Sequence, residues 1–504
     1  MKVQIILITV FILLALQGYS QQIPLPANLP QGHPRLMTTE SEKPHLIKRL
    51  ADEQWAKKVL EGIKKRIEPY IEKTKQQPDW LSSRLMMYWK TKATQVYING
   101  GVFARADGEA PVPTPRFGST RGISSSFGRP ELSDIIPYMD DTKGVYFKNN
   151  AKPGAPLEWV EQSQVSGSSI ESVNEEIMKL AKDAAFLYWL TNDKSYARLA
   201  FGVLDTYLTG MYYRKEPVDL SNGHAQTLVG MTTFEVIQER ILNELAYTYD
   251  FLYYYIINTN SSKKAIYESA LKKCIDLSIK NGVPHNNWNL HKSKFILKVA
   301  MVLDDNSMYA DDKGREYYIN NILNITTARH WSLPEFIKYG YDKQTGIWNE
   351  SPGYAQSVAH ELTMFIRDYE NAFHQNLLPY IPVMYKSVEV LPQYLFPNGL
   401  TTAFGDTYYG HLNTEPISDM VRLTQKYQDR NKEILYTKML RLFNANIKQD
   451  SNSAPGLPPQ INSLFTARPL VLDSTISKGE LNDYMTPVFY APNVSWLVQR
   501  NKYN

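Results

Sequence analysis

Apolar residues recur at helical spacing along most of the chain, and short polar turns separate the helices that this spacing predicts. A charged amphipathic helix is predicted over 40–76. From residue 170 onward the same spacing predicts helices over 170–190, 196–207, 234–255, 264–280, 293–303, 309–325, 354–373, 383–395 and 416–443. Successive antiparallel hairpins of this kind stack into a ring or a solenoid. We therefore predict a mainly α fold, a toroid or a solenoid of helical hairpins, over residues 21–447.

The pattern changes after residue 447. Residues 448–469 are rich in Ser, Pro and Asn, which is the composition of a linker. Short alternating or β-branched runs then predict strands over 470–472, 487–491 and 494–500. Residues 470–504 either add a small sheet edge to the helical domain or begin a larger sheet domain that the chain carries in truncated form.

Two other segments depart from the helical pattern. Residues 1–20 combine a lysine, a short apolar core and small polar residues, which is typical of a cleavable secretory signal peptide and too short for a membrane span. Residues 98–155 are rich in Gly and Pro, and they carry Arg116, Arg121 and Arg129. A long irregular insertion is often functional. These arginines are therefore candidates to hold anionic groups, with solvated loop charges as the alternative.

Composition narrows the classes of function. Of 504 residues, 43% are hydrophobic and 21% charged, which indicates a sizeable buried core. The net charge of +4 is too small for a nucleic-acid binder that relies on bulk charge, but it permits a local basic cleft. The 34 tyrosines and 9 tryptophans suit either a carbohydrate cleft or an aromatic helical core.

The single cysteine, Cys274, lies in a lysine-rich helical pattern and is expected to be a small buried residue. It leaves no disulfide framework, no thiolate metal site and no lipid-bearing cysteine beside the signal segment. We predict no metal and no cofactor, and a secreted or periplasmic protein that does not span the membrane. The oligomeric state stays open.

Residues 346–365 pass from a loop into a helix. Ser351 and Pro352 form a helix start, with a polar cap followed by proline at the first helical position. Val358, Leu362 and Phe365 then form an apolar face. Tyr354 lies in the first turn, where its side chain either reaches a cleft or packs against the helix start.

A second loop–helix junction concentrates amide and imidazole groups. His285 to His291 reads His-Asn-Asn-Trp-Asn-Leu-His and precedes the helix that we predict from Ser293. Backbone N–H groups and the helix dipole favour an anion at such a terminus. The amides are thus candidates to bind a carboxylate, and helix capping by one asparagine is the alternative.

Two further loops carry candidate groups. Ser221 to Gln226 places His224 beside a glycine, where it is either free to enter a cleft or an ordinary surface histidine. Residues 396–411 contain a Pro-Asn-Gly turn and a Gly405–Asp406 step. We interpret Asp406 as a buried carboxylate that holds this loop in place, rather than as a group that takes part in chemistry.

Three of these segments together resemble the heparinase II/III-like polysaccharide lyases. Asn287-Trp288 before a helix, the step from Glu350 to Tyr354, and the Pro-Asn-Gly loop that ends at Asp406 occur in the order seen in that group. The opening His33-Pro-Arg-Leu-Met37 and the Tyr249-Asp250 pair also resemble its helical domain. The resemblance covers about residues 30–420.

The resemblance implies an incomplete (α/α) toroid of helical hairpins as the catalytic domain over residues 21–447. It also implies that 470–504 are the beginning of an antiparallel β-sandwich domain, truncated in this chain. The implied reaction is β-elimination at a uronic acid within an anionic polysaccharide. Removal of the C5 proton places negative charge on the uronate carboxylate, and Asn287 would stabilise that charge. Tyr354 would protonate the departing O4 and is one candidate base, while His224 is the other. Trp288, His291, Gln226, Glu350, Arg116 and Arg121 would contact substrate, the arginines through bidentate bonds to acid groups.

Two other functions fit parts of the sequence. One is a non-catalytic exported glycan-binding protein. The other is a glycoside hydrolase on an (α/α) barrel, for which Glu350 and Asp406 would be the two carboxylates that the chemistry requires. The asparagine, histidine and tyrosine residues in the same segments favour elimination over hydrolysis. The polysaccharide itself, whether glycosaminoglycan-like, alginate-like or ulvan-like, is not determined by the sequence.

Overall fold

The computed structural model describes residues 22–27, 29–88, 167–213, 240–396, 398–444, 460–465 and 470–500, together with short stretches between 97 and 161. The segment predicted as a signal peptide, residues 1–20, lies outside these ranges and stays a prediction.

The described residues are mainly helical, which confirms the predicted fold class. In chain order the helices are α1 (Lys43–Asp52), α2 (Gln54–Gln76), α3 (Gly167–Thr191), α4 (Lys194–Tyr213), α5 (Ile241–Thr259), α6 (Lys263–Asn281), α7 (Asn287–Val302), α8 (Arg315–Asn324), α9 (Leu333–Gly340), α10 (Pro352–Phe373), α11 (Val383–Glu389), α12 (Glu415–Lys426), α13 (Arg430–Phe443) and α14 (Ile461–Phe465).

The strands are short and all of their pairings are antiparallel. They are β1 (Met87–Tyr88), β2 (Tyr97–Ile98), β3 (Gly101–Val102), β4 (Val112–Pro113), β5 (Phe127–Gly128), β6 (Gly144–Asn149), β7 (Glu158–Glu161), β8 (Val488–Ala491) and β9 (Trp496–Gln499). The described part of residues 97–161 thus contains paired strands, and β5, β6 and β7 form a three-stranded sheet in that order. At the C-terminal end β8 pairs with β9, so the small antiparallel sheet predicted there is confirmed.

Helices α7 and α10 lie side by side and run in the same direction. Lys294 of α7 forms an ion pair with Glu361 of α10, and one turn further along Lys298 donates to Asp368 Oδ2 over 2.6 Å. Because residue numbers rise together on both helices, the two N-termini lie at the same end. Such a parallel pair is what a ring of hairpins produces, since every second helix points the same way.

Helices α5 and α12 extend this parallel set on either side. Tyr247 of α5 accepts a hydrogen bond from Lys298 over 2.8 Å, and Arg240 at the start of α5 acts electrostatically on His291 of α7. On the other side, three hydrogen bonds join α10 to α12 and the segment before it, and their residue numbers again rise together along both. They run from Asn413 N to Gln356 Oε1 (2.8 Å), from Arg367 to Asp419 (2.7 Å) and from Lys426 to Glu370 (2.6 Å). Four adjacent inner helices therefore present their N-termini at one rim.

The opposite end of the set is fixed by the segment before α1. Asp250 of α5 accepts bonds from the backbone N–H groups of Arg35 and Leu36, each at 2.8 Å, and lies 2.6 Å from His33 Nδ1. The Arg35 guanidinium donates to the carbonyls of Val302 and Leu303, the last groups of α7, over 2.9 Å each. A cation on these unpaired carbonyls stabilises the helix end.

The apolar face predicted for α10 forms part of the core. Val358, Leu362 and Phe365 are each at most 1% exposed. Burial of side chains of this size contributes about 1.5–3 kcal/mol each. The same helix thus has one face that anchors it and another that faces α7. Cys274 is buried, as its sequence context predicts.

Several element boundaries differ from the predicted ones for local reasons. The helix predicted from Ser293 begins six residues earlier, at Asn287. The single helix predicted over 416–443 is two helices, because Gln428 between them adopts a positive φ of 57°. Helix α9 was not predicted.

Other differences lie near proline and in the tail. Helix α11 ends at Glu389 and a 3-10 turn, Leu391–Tyr394, follows it around Pro392, so the helix predicted over 383–395 is interrupted. Within the stretch interpreted as a linker, α14 packs on α2, and Phe465 lies against Trp189. Residues 470–472 do not form the predicted strand.

None of the helices in the described ranges has both the length and the apolar character needed to cross a bilayer.

Candidate functional site

The register between α7 and α10 places two predicted site residues at one level of the rim. Asn287 lies seven residues before Lys294, and Tyr354 lies seven residues before Glu361, its ion-pair partner. Seven residues are close to two helical turns, so each residue lies on the same face as its paired charge and at the same height. Neighbouring helix axes are about 8–10 Å apart. The rim thus brings Asn287 and Tyr354 onto facing sides of adjacent helices.

The three asparagines at the start of α7 have different surroundings. Asn286 is the N-cap, and its side chain accepts a bond from Trp288 N over 3.0 Å. Asn289 is 1% exposed and pairs with the backbone of Trp331, donating to its carbonyl over 2.8 Å and accepting from its N–H over 3.1 Å. Asn287 is half-buried at the first helical position. The capping role therefore falls on Asn286, not on Asn287.

The cap residue has an uncommon backbone conformation. Asn286 has φ 58° and ψ −166°, a region that is costly for any residue with a side chain. This conformation turns the chain sharply into the helix one residue before Asn287. The sequence interpretation placed these residues in a loop because it did not anticipate that turn.

Tyr354 lies in the first turn of α10, as predicted, and its hydroxyl donates to Asp406 Oδ2 over 3.4 Å. Asp406 is exposed, so the interpretation of this residue as a buried carboxylate is wrong. The loop is held instead through its backbone, because Ser351 Oγ donates to the Asp406 carbonyl over 3.3 Å. Gly353 allows the close approach, since a Cβ there would lie 2.1 Å from Thr407 Oγ1.

His291 lies one turn below Asn287 on the same face of α7. Its Nδ1 is 4.0 Å from Glu361 Oε2, and 28% of its side chain is exposed. Burial lowers the pKa of His291 to about 4, and the nearby charges of Lys294 and Arg240 act in the same direction. The imidazole is therefore neutral at ordinary pH and can accept a proton.

Below the rim, charged groups follow the facing sides of the inner helices. Burial is the main cause that lowers the pKa of Lys294, to about 8. Burial opposes the charge of Lys298 as well, but Asp368 and Tyr247 outweigh it and raise the pKa of this lysine. The groove between α7 and α10 thus carries cations at two levels, each beside a carboxylate.

His360 is a further candidate that sequence reasoning missed. It lies on α10 toward α12, and its Nδ1 is buried without a hydrogen-bond partner among the described residues. Burial lowers its pKa, against the opposing effect of Asp419 and Glu415. The only sequence signal for it is its place one to two turns after Tyr354.

The remaining predicted residues divide into two groups. Glu350 accepts a bond from Trp348 Nε1 over 2.6 Å, and Trp348 is 1% exposed, so this carboxylate is tied to the core beside the rim. Trp288 is half-buried in the first turn of α7. His224, Gln226, Arg116 and Arg121 fall outside the described residues, and their assignment stays a prediction.

A groove of about 650 Å³ along α6 lies away from this rim and is less suited to an anion. Two of its lysines have carboxylate partners within the protein: Lys264 pairs with Asp304 and Lys272 with Asp311, each at 2.7 Å. These two cations are thus already neutralised.

Comparisons with known proteins connect the chain to polysaccharide lyases. Residues 344–485 match the family described as the second domain of endo-acting ulvan lyase. That range includes Glu350, Tyr354 and the Asp406 loop. Over 241 residues, 47% of this chain, the sequence is 26% identical to an endo-acting ulvan lyase of Formosa agariphila. The aligned part spans 29% of that relative's length.

Proposed function

We propose that the chain acts as a secreted polysaccharide lyase that cleaves a uronic-acid-containing anionic polysaccharide by β-elimination. The observation that carries this proposal is the register of α7 and α10, which puts an amide and a phenol on facing sides of one rim. The similarity to an endo-acting ulvan lyase favours an ulvan-like substrate over an alginate-like or glycosaminoglycan-like one. We also propose that the chain is related to the heparinase II/III-like polysaccharide lyases.

The substrate carboxylate would lie at the N-terminus of α7. Backbone N–H groups and the helix dipole favour an anion there, and Asn287 adds an amide donor. When the C5 proton leaves, negative charge develops on this carboxylate, and donors that are already in place stabilise it without rearranging. Arg240, exposed at the start of α5, contributes a positive charge at the same rim.

The proton transfers can be written with these groups. A base takes the C5 proton, the C5–H electron pair forms the C4=C5 double bond, and the C4–O4 bond breaks. Tyr354 donates its proton to O4: the single phenol hydrogen, which bonds to the exposed Asp406 in the structure, turns to the leaving oxygen when substrate binds. The products are a saturated chain end and an unsaturated uronate, so atoms and charge balance.

Three groups are candidates for the base. His224 and Tyr354 follow from the sequence resemblance, and the geometry adds His291, a neutral imidazole one turn below Asn287. Among the described histidines His291 is favoured, because it shares a helix face with Asn287 whereas His360 lies toward α12. Trp288, Gln226, Arg116 and Arg121 would contact neighbouring sugars.

Product analysis tests the reaction type. The full chain is incubated with ulvan, alginate and glycosaminoglycans, and products are followed by the ultraviolet absorbance of the new double bond and by mass. An unsaturated uronate at the new end supports the proposal. Saturated products one water heavier would indicate hydrolysis, and binding without any product would indicate a glycan-binding protein.

A further inference from the structure

The loop over residues 404–411 holds two tyrosine rings in solvent beside the candidate site. Tyr408 is 90% exposed and Tyr409 is 64% exposed. Large aromatic rings lose favourable burial when they stay in water, and most of the large rings in the described core are buried. Exposure of two adjacent rings at one place therefore indicates a surface that a partner covers.

The loop that carries these rings is fixed rather than loosely attached. Thr401 N donates to the Gly410 carbonyl over 2.7 Å, and Gly410 N donates back to Thr401 Oγ1 over 3.3 Å. At its other end the loop is joined to α10 by the bond from Ser351 to Asp406. Phe396 supports the tip, with its ring centre 6.1 Å from that of Tyr409. A rigid base lowers the entropy that a ligand must overcome.

The position of the rings limits the identity of the partner. Tyr408 follows Asp406 by two residues, a span of at most about 7 Å, and Asp406 contacts the hydroxyl of Tyr354. A partner that covers the rings is therefore within reach of the same polysaccharide chain as Tyr354, the group assigned to the leaving oxygen. A polysaccharide chain that passes Tyr354 would reach this surface with its next sugar residues.

We propose that Tyr408 and Tyr409 form a stacking subsite for a sugar residue adjacent to the cleaved bond. The flat C–H face of a pyranose ring packs on an aromatic face, while its hydroxyl and acid groups point to water. The proposal rests on the proposed function for the identity of the polymer, and it adds a site that would determine how the polymer is held. Stacking on these rings does not depend on charge, so the subsite would act separately from the proposed anion site at the rim.

The test compares Tyr408→Ala, Tyr409→Ala and the double variant with wild type, using the full chain and ulvan. Truncation of a well-placed aromatic side chain should raise KM and the dissociation constant for ulvan about tenfold, which corresponds to about 1.4 kcal/mol, with kcat nearly unchanged. Tyr408→Phe should restore affinity, because it keeps the ring face. Tyr254→Ala is the matched control, since Tyr254 is 45% exposed near the far end of α5.

The outcomes separate this proposal from the proposed function. If wild type forms unsaturated product and the double variant keeps wild-type KM and affinity, the subsite is refuted and the lyase assignment stands. If wild type forms no such product but the variants bind ulvan more weakly, the subsite stands and the lyase assignment fails. Loss of a dimer in the variants with unchanged affinity for ulvan would assign the rings to a second copy of the chain and overturn the proposal.

Discussion

Three asparagines at the start of α7 differ in what their side chains contact: Asn286, Asn287 and Asn289. Asn286 holds the helix start, Asn289 holds the backbone of Trp331, and Asn287 faces the rim. The residue pattern predicted that the amides exceed what capping requires, and only the family resemblance singled out Asn287. That assignment depends on where the helix begins, which the backbone conformation of Asn286 decides.

These different roles predict that substitution of Asn286 mainly lowers stability, whereas substitution of Asn287 mainly lowers activity. Asn286→Ala removes the cap and should lower the free energy of unfolding by about 1 kcal/mol. Asn287→Ala should change stability by less than about 0.5 kcal/mol, as surface substitutions usually do, and lower kcat by about 100-fold through loss of a charge-stabilising donor. Denaturant unfolding and the rate of double-bond formation measure the two effects. A larger stability loss for Asn287→Ala than for Asn286→Ala would contradict the assignment.

The lowered pKa of His291 predicts the acid limb of the pH profile. Only the neutral imidazole accepts a proton, so activity should persist as pH falls and decline only as pH passes through about 4. The profile of kcat/KM measures the pKa in the free enzyme. His291→Ala should abolish this limb together with most activity, while His45→Ala, an exposed histidine on α1, should leave the profile unchanged. A decline on the acid side that persists unchanged in His291→Ala would exclude His291 as the base.

At the scale of elements, the sequence predicted helices where apolar spacing is long and regular. The face of α10 is an example, because Val358, Leu362 and Phe365 are buried as their spacing requires. The prediction failed where a single residue sets the geometry. The positive φ of Gln428 divides one predicted helix into two, and Pro392 ends another. Conformations of this kind depend on local and tertiary contacts that periodicity does not contain.

The far face of α7 provides a prediction for stability. Lys292 is fully buried, donates to the Arg329 carbonyl over 2.7 Å, and has its pKa lowered by burial to about 7. The unfolded chain binds this proton up to about pH 10.4, so wild-type stability should rise between pH 7 and 10. At pH 6 the charged amine is buried at a cost.

Lys292→Met removes that charge. Its stability relative to wild type should therefore fall by about 2–4 kcal/mol between pH 6 and pH 10. Denaturant unfolding at both pH values measures the difference. Lys338→Met is the control, because 65% of the Lys338 side chain is exposed. Equal differences at the two pH values would show that folding does not lower the pKa of the Lys292 amine.

At the scale of the whole molecule, the candidate site arises from how distant segments pack. Asn287 and Tyr354 are 67 positions apart, and no pattern within the sequence states that their helices are parallel neighbours. The sequence resemblance selected both residues, and the ion pair between Lys294 and Glu361 supplies the register that relates them. The seven-residue spacing from Asn287 to Lys294 and from Tyr354 to Glu361 is visible in the sequence. It relates the two site residues only once α7 and α10 are known to be adjacent.

The same packing explains which residues sequence reasoning overlooked. His360 and Glu361 have no motif of their own, and they become notable only because α12 and α7 lie on either side of α10. The N-terminal segment that contains His33 and Arg35 was recognised by resemblance alone. Its role, fixing the middle of α5 and the end of α7 away from the rim, follows from contacts across more than 200 residues.

We propose that Asn287 and Tyr354 act together on one sugar unit. The most direct measurement is kcat/KM for double-bond formation from ulvan by wild type, Asn287→Ala, Tyr354→Phe and the double variant. Each single substitution should lower kcat/KM by at least about 100-fold, with the folded structure retained. The double variant should lose much less than the product of the single losses, because groups that serve one transition state are not additive. Wild-type activity in Tyr354→Phe, or losses that multiply in the double variant, would contradict the account.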